Sequence, residues 1–509
     1  MSNHRNNKGS GSSRPFTLAD WFGLACFILL GLCSAILYIR LMGTGMVADV
    51  LLKALVIALV ALNVIHLIIQ LPRWRNKAPK LVFGILAIAI SGGMIYAVSA
   101  ADTVQNALMN ISGKLVEEET TYIFVMDDNE VEEIGDAVDF NFGALSHADE
   151  TNTTALLEAV NALGDIQKTA YESVPELVDA LYDGSVDAIM LNQGYISLLE
   201  EMENYATFSQ DTRVLYEFTT TREVEPIEPN PAITREPFVV YCSGIDSRYG
   251  DVSIKSLSDV NILAVVNPKT HQVILLNTPR DYYVPLVSEP YTGELDKLTH
   301  AGALGIDESM RVLSQLYGVE ASYYIRVNFH GLIDIVNALG GVDVVSPASF
   351  STNPAEIVAG GPLKSYYFTE GLNHMSGEEA LAFCRERYAF GDGDNQRGKN
   401  QMAVIKGIVD KAVSPQILSS YDEVLTAVQD CFITNMPYED ISALVQMQLK
   451  DMSGWNITTY AVSGLGDIMP CATHGYQNLW VMWPNEDMVN TAKGLIAQLM
   501  NGETPTLPG

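Results

Sequence analysis

The chain has 509 residues, enough for two or three folded units, and a formal net charge of −31. That acidity excludes nucleic acid as a partner of the whole chain, because phosphate backbones are bound by a surplus of Lys and Arg. The composition is split: nearly all long apolar runs fall in the first hundred residues, and the remainder reads as a globular protein made soluble by its acidic surface.

After a polar tail (residues 1–20) come three apolar runs, Trp21 to Ile39, Ala54 to Leu71 and Leu81 to Ala101. Each is long enough to cross a bilayer core, so residues 21–101 predict three transmembrane helices. The two later runs argue against reading the first as a cleaved signal peptide. The tail carries Arg5, Lys8 and Arg14, and the second connection Arg73, Arg75, Lys77 and Lys80; the first loop sets only Arg40 and Lys53 against Asp49. Basic loops stay inside, which predicts a cytoplasmic N-terminus and, with an odd number of spans, an extracytoplasmic region after Asp102 in a multi-pass cell-membrane protein. Cys26 and Cys33 fall in the first run, whereas Cys242, Cys384, Cys431 and Cys471 lie where disulfides are permitted, with three pairings open. No Cys-x-x-Cys or His/Cys spacing suggests zinc.

Residues 117–221 predict a small accessory α/β domain. Tyr122 to Met126 reads as a strand before the turn Asp127-Asp128-Asn129, and Leu156, Leu157, Val160 and Leu163 have helical spacing. Val174 to Leu191 reads as a helix, a stop at Gly184 and a buried strand; the part from Leu177 is similar to one lobe of solute-binding proteins, as are many helix–glycine–strand units. Residues 222–237, with Pro226, Pro229, Pro231 and Pro237, read as a linker. The second extracytoplasmic domain, 238–502, opens with the strand Phe238 to Cys242. A hairpin follows from Val260 to Leu276 around Asn267-Pro-Lys-Thr270. Helices are expected near Glu308 to Tyr317, Leu332 to Leu339, Gly377 to Phe383 and from Asn395 on, then a strand at Ile457 to Val462 and a last helix from Asp487.

Charge concentrates beside these strands: Gly244-Ile-Asp246-Ser-Arg248, Ser258-Asp259, Thr278-Pro-Arg280-Asp281, and Arg385-Glu-Arg387 followed by Asp394, Arg397 and Gln401. Any one of them taken alone reads as an ordinary surface ion pair. Together, at the strand ends where α/β sheets hold ligands, they suit phosphoryl transfer from a pyrophosphate. Guanidinium groups clamp phosphate oxygens, here Arg280, Arg385, Arg387 and Arg397. A hard cation such as Mg²⁺ takes carboxylates, here Asp246 and Asp259, and a further carboxylate can serve as base. Arg385 and Arg387 point the same way if their segment is extended. Arg397 and Gln401 share one helix face, which Asp394 or Asn395 would cap.

These segments, with Lys297-Leu-Thr-His-Ala301, Tyr324 to Asn328, Ile333 to Val342 and Gly371 to Leu381, resemble the LytR–CpsA–Psr family in the right order over about Phe238 to Val413. The resemblance implies a mixed central sheet flanked by helices, with a polyprenyl-pyrophosphate pocket. It also implies a membrane-anchored transferase that moves a teichoic-acid or capsule-type glycopolymer from that lipid to peptidoglycan. Asp246 and Asp259 match the family's Mg²⁺ aspartates, and Arg280, Arg385, Arg387, Arg397 and Gln401 its pyrophosphate-site residues. Asp281 matches the Pro-Arg-Asp motif, where a base role beside Arg280 is our own reading. Tyr282 and Asn400 depart from the pattern, the latter removing one expected cationic contact, and three spans exceed the usual single anchor. A lipid-pyrophosphate hydrolase fits the same residues, and a non-catalytic envelope sensor or scaffold suits the extra spans.

Overall fold

The computed structural model describes residues 16–47, 49–71, 77–112, 116–146, 150–162, 166–223, 227–245, 252, 254–357, 361–391, 393–414, 421–429 and 431–508. Two compact units emerge, Met1–Asn106 and Ala107–Gly509.

In the first unit the helices Leu18–Gly43, Asp49–Gln70 and the start of Ala78–Ile111 are each long and apolar enough to cross a membrane. Their shared interior holds Cys26, Leu30, Cys33, Leu59, Ala87 and Met94. Asn63 Nδ2 donates to Ser34 Oγ at 3.0 Å between two of them, a polar contact suited to an apolar solvent. Outward-facing Ile28, Leu32, Ile57 and Ile85 remain exposed, as lipid-facing residues would.

The second unit is built on two large sheets, with five two-stranded pairs beside them among the described residues. The smaller has five strands in the order Gln167–Tyr171, Asn141–Leu145, Ala188–Asn192, Val116–Met126, Thr212–Glu223. Its helix Val174–Tyr182 starts at Ser173, whose hydroxyl accepts from the Glu176 amide, with Pro175 in the first turn, and stops before Gly184 at φ +76°. The proline-rich stretch that follows is tied to the second sheet: Ile233 is buried in its core, and the Asn230 amide donates to Asp440.

The larger sheet has six strands in the order Phe432–Thr434, Tyr323–Asn328, Phe238–Ile245, Ser258–Asn267, Gln272–Asn277, Asn456–Ala461. Its pairs are mixed, with Phe238–Ile245 parallel to Tyr323–Asn328 and antiparallel to Ser258–Asn267. Strand periodicity divides the side chains. Val239, Tyr241, Leu263, Val265, Ile274 and Leu276 pack on one face, against the helices Ile306–Tyr317 and Glu486–Met500. Phe238, Val240, Ala264, Val273 and Leu275 face the other way, towards the helices Asp394–Ala412 and Tyr438–Asp451.

All six cysteines are free thiols. The four expected in reach of oxidation sit on separate elements: a central strand, the end of a helix, the edge before Phe432–Thr434, and the hairpin Gly464–Cys471/Gln477–Pro484.

Candidate active site

A cavity of about 950 Å³ lies on the second face of the larger sheet. Alternate residues of the central strand, Phe238, Val240 and Cys242, form part of its floor and lead to Gly244. In the antiparallel register Gly244 meets Val260, and a bulge sets Ile245 opposite Ser258. The strand end that precedes Asp246 therefore lies beside the strand start that carries Asp259. The hairpin returns at Asn277, opposite Ile262, so Arg280 emerges at the same edge.

Most of the sequence-predicted residues meet there. Asp259, Arg280, Arg385, Arg387, Arg397 and Gln401 all line the cavity. Asp246 lies outside the described residues. Asp281 is buried next to the cavity and is not among its lining: Lys297 Nζ stands 3.3 Å from one carboxylate oxygen and Arg280 Nε 3.8 Å from the other.

Local geometry departs from expectation in three places. Arg385 is the last residue of the helix Gly377–Arg385, which a Ser376/Glu379 capping box starts; the segment is not an extended one. Arg385 and Arg387 both reach the cavity because Glu386 turns extended between them. The cap of Asp394–Ala412 is Gly393 at φ +53°, not Asp394 or Asn395; Asp394 instead pairs with Arg397 at 2.8 Å. Arg397, Gln401, Val404, Ile405 and Ile408 then share the cavity face of that helix. The helix can approach the strand end because Gly398 has no side chain: a Cβ there would fall 2.2 Å from Asn277 Oδ1.

The two unusual residues are not cavity groups. Tyr282 is fully buried on the opposite face and donates to the Ser463 carbonyl at 2.7 Å. Asn400 is buried and donates to the Phe383 carbonyl, joining two helices; it is not in the lining.

Three carboxylates surround Arg280. Nη1 is 2.5 Å from Asp259 Oδ1, Nη2 3.2 Å from Glu201 Oε1, and Nε faces Asp281. Burial works against the guanidinium charge, but Asp259, Glu201 and Asp281 outweigh it and hold Arg280 charged. Elsewhere in the lining, Arg385 lies over the Phe329 ring at 4.9 Å and Arg387 over Tyr388 at 5.0 Å.

Glu201 comes from the smaller sheet unit, just after the helix Ile196–Glu200. Its other oxygen is 3.4 Å from His300 Nε2, and His300 Nδ1 is 2.6 Å from Asp296 Oδ1. Asp296 also accepts from the Thr473 amide and hydroxyl, both at 2.7 Å, and from the Lys297 amide. Burial disfavours a charged His300, yet Asp296 and Glu201 raise it above the ordinary histidine value. Burial likewise opposes the two carboxylates, but His300 leads the opposing groups and each is brought down to about 2. His474 stacks on His300 with centroids 4.3 Å apart; burial, then the His300 charge, lowers it to about 3.

Asp296, His300 and Cys471 offer ligand atoms within 4.8 Å of one another, a possible metal set that sequence spacing did not suggest. The hydrogen bonds just described engage both oxygens of Asp296, and burial raises the Cys471 thiol above its ordinary value.

A sequence profile described as the LytR_cpsA_psr family matches residues 204–490. The chain belongs to the LytR–CpsA–Psr family. It is 35% identical over 211 residues to the polyisoprenyl-teichoic acid–peptidoglycan teichoic acid transferase TagU of Enterococcus faecalis, a match covering 41% of this chain and 65% of that one. It is 34% identical over 207 residues to the Bacillus cereus protein of the same name, covering 40% and 62%. The chain therefore spans less than two thirds of these relatives' length. Among solved structures, B. subtilis TagV is 25% identical, with a TM-score of 0.43, 53% of this chain and 99% of that chain being covered.

Proposed function

We propose that this LytR–CpsA–Psr protein is a membrane-anchored transferase that moves a phosphate-linked glycopolymer from a polyprenyl-pyrophosphate lipid onto peptidoglycan. The observation that carries it is the cavity's mixed lining. Arg280, Arg385, Arg387 and Arg397 supply a charged part, and most of the rest is apolar, including Val240, Ala264, Leu275, Val424, Leu444 and Trp455. A diphosphate head on an isoprenoid tail has that division of chemistry. The TagU relatives carry the corresponding transferase name.

In the reaction, an acceptor hydroxyl attacks the phosphorus that bears the glycopolymer. The bond from that phosphorus to the bridging oxygen breaks, and polyprenyl phosphate leaves with the electron pair. Arg280, Arg385, Arg387 and Arg397, with Gln401, hold the diphosphate oxygens as charge moves onto the leaving phosphate. Asp281, beside Arg280, is our candidate to take the hydroxyl proton. Asp259 on the cavity wall is a hard oxygen donor suited to Mg²⁺, with Asp246 as its partner in this reading; the ion would neutralise charge on the pyrophosphate. In this reading the N-terminus is cytoplasmic and the two large sheets lie outside, which the basic residues Arg73, Arg75, Lys77 and Lys80 support.

The test is release of polyprenyl phosphate from a lipid-linked polymer by the purified chain, with and without Mg²⁺. Metal-dependent release, lost in Asp259→Ala and Arg385→Ala, supports the reading. Lipid that binds but is never turned over in the presence of a wall acceptor would favour a sensor or scaffold.

A further inference from the structure

We propose that Glu201, supplied by the smaller sheet unit, is a positioning residue for Arg280, so that the phosphate clamp is built jointly by the two sheets. This rests on the cavity being a pyrophosphate site. A guanidinium has five N–H donors in a fixed plane. Asp259, Glu201 and Asp281 each face a different nitrogen of Arg280, which leaves donors on Nη1 and Nη2 for a phosphate. Asp259 is also the candidate metal ligand, and Asp281 at 3.8 Å is beyond hydrogen-bond reach. Once Asp259 turns to a cation, Glu201 is the group still bonded to Arg280 and able to fix its plane.

Glu201 is itself fixed. His300 holds its second oxygen, Asp296 holds His300, and the Thr473 amide and hydroxyl hold Asp296. The unit that carries it is anchored too. Leu257 and Ala303 of the larger domain are buried in the core of the smaller sheet. Lys255 Nζ is 2.6 Å from Glu119, and a Cβ on Gly194 would fall 2.7 Å from Lys255 Cβ. A carboxylate whose second oxygen is held by a fully buried histidine is a fixed strut, not a mobile competitor for the arginine.

The sign of one measurement separates this from simpler roles. Deleting a negative charge beside an anion site, with nothing else changed, tightens anion binding. Loss of a strut weakens it. The probe is geranylgeranyl pyrophosphate with Mg²⁺, and the protein is the full chain in detergent. Glu201→Gln is expected to weaken binding about ten-fold, with KM rising in parallel, and to lose most of that effect in an Arg280→Lys background, where no guanidinium plane remains to be set. Tighter or unchanged binding, or an equal effect in both backgrounds, overturns the proposal. So does a fall in kcat at constant KM and Kd, which reports only a smaller folded fraction. Should Glu201→Gln not fold, Thr473→Val trims the far end of the relay while keeping the main-chain bond to Asp296. It is expected to weaken binding about three-fold through the loss of the hydroxyl's buried contacts with Asp296 and His474, and unchanged binding there overturns the proposal. A wild type that binds the probe but turns over no lipid-linked polymer defeats the transferase reading alone, and the binding comparison still judges Glu201.

Discussion

The two sides of the cavity's charged edge handle their arginines in opposite ways. Arg280 is enclosed by Asp259, Glu201 and Asp281, and its charge is matched before any ligand arrives. Arg385 and Arg387 rest on the rings of Phe329 and Tyr388, and neither pairs with a carboxylate of a described residue. A ring face holds a guanidinium in place without consuming its N–H donors; Arg385 gives one donor to the Glu356 carbonyl at 3.2 Å and Arg387 one to the Tyr388 hydroxyl at 2.9 Å, and the others face no carboxylate of a described residue. A carboxylate cage gives firmer orientation and spends more donors to do so. The site thus combines one arginine caged by carboxylates and two that keep most of their donors.

The largest expected effect tests that contrast. Arg280→Ala removes the one cation that faces all three carboxylates, which then repel each other and the incoming diphosphate more strongly. Binding of a polyprenyl pyrophosphate should fall about a thousand-fold, roughly 4 kcal/mol. Arg385→Ala or Arg387→Ala removes charge-assisted bonds but leaves no unmatched carboxylate, and should cost about thirty-fold each. Equal losses at all three positions in a titration of the lipid would break the comparison.

A smaller effect separates head from tail. Ala264 lies on the strand floor between Val240 and Leu275, away from the arginines. Ala264→Phe places a ring in the apolar space, so geranylgeranyl pyrophosphate should bind about ten-fold more weakly, in line with the cost of overfilling an apolar site. Dimethylallyl pyrophosphate, too short to meet the ring, should be unaffected. Equal losses for both would mean that the tail runs elsewhere.

Much of this edge was legible in the sequence because it is local. The alternation Phe238, Val240, Cys242 against Val239, Tyr241 fixes which strand face meets the cavity, and the turn spacing brings Asp259 and Arg280 to one end. The four-residue step from Arg397 to Gln401 sets a common helix face in any helix. Arg385 was misjudged because a two-residue step says nothing about where the capping box upstream will let the helix end. Asn400 and Tyr282 stand inside motif segments yet point into packing contacts, which depend on neighbouring helices and not on the motif. Glu201 was invisible for a stronger reason. It stands 79 positions from Arg280, in a unit whose charges all resemble solvated surface until the two sheets meet. Asp296 and Thr473, separated by 177 positions, are alike in this. Only the Lys297-Leu-Thr-His segment hinted that His300 belonged near the site.

The buried relay behind Glu201 gives the last and smallest test, through pH. His474 is held near 3 against an ordinary 6.5, so its contribution to stability is complete above about pH 6.5 and is lost as the pH falls towards 3. His300 is shifted the other way; its contribution is present below pH 6.5 and is lost as the pH rises through its elevated folded value. Glu201 and Asp296, both near 2, start to lose theirs only below about 4.5 and 3.8 respectively. Between pH 6.5 and 4.5 the acid side of the relay's own contribution therefore belongs to His474, with a slope of at most about 1.4 kcal/mol per pH unit for one proton. His474→Phe keeps a flat ring against His300 and removes the titration. Thermal midpoints of the full chain should fall with acidity across that window in the wild type and fall less steeply in the variant, while both collapse together below pH 4. A slope unchanged in His474→Phe would place the titrating group elsewhere and detach the stacked pair from the relay.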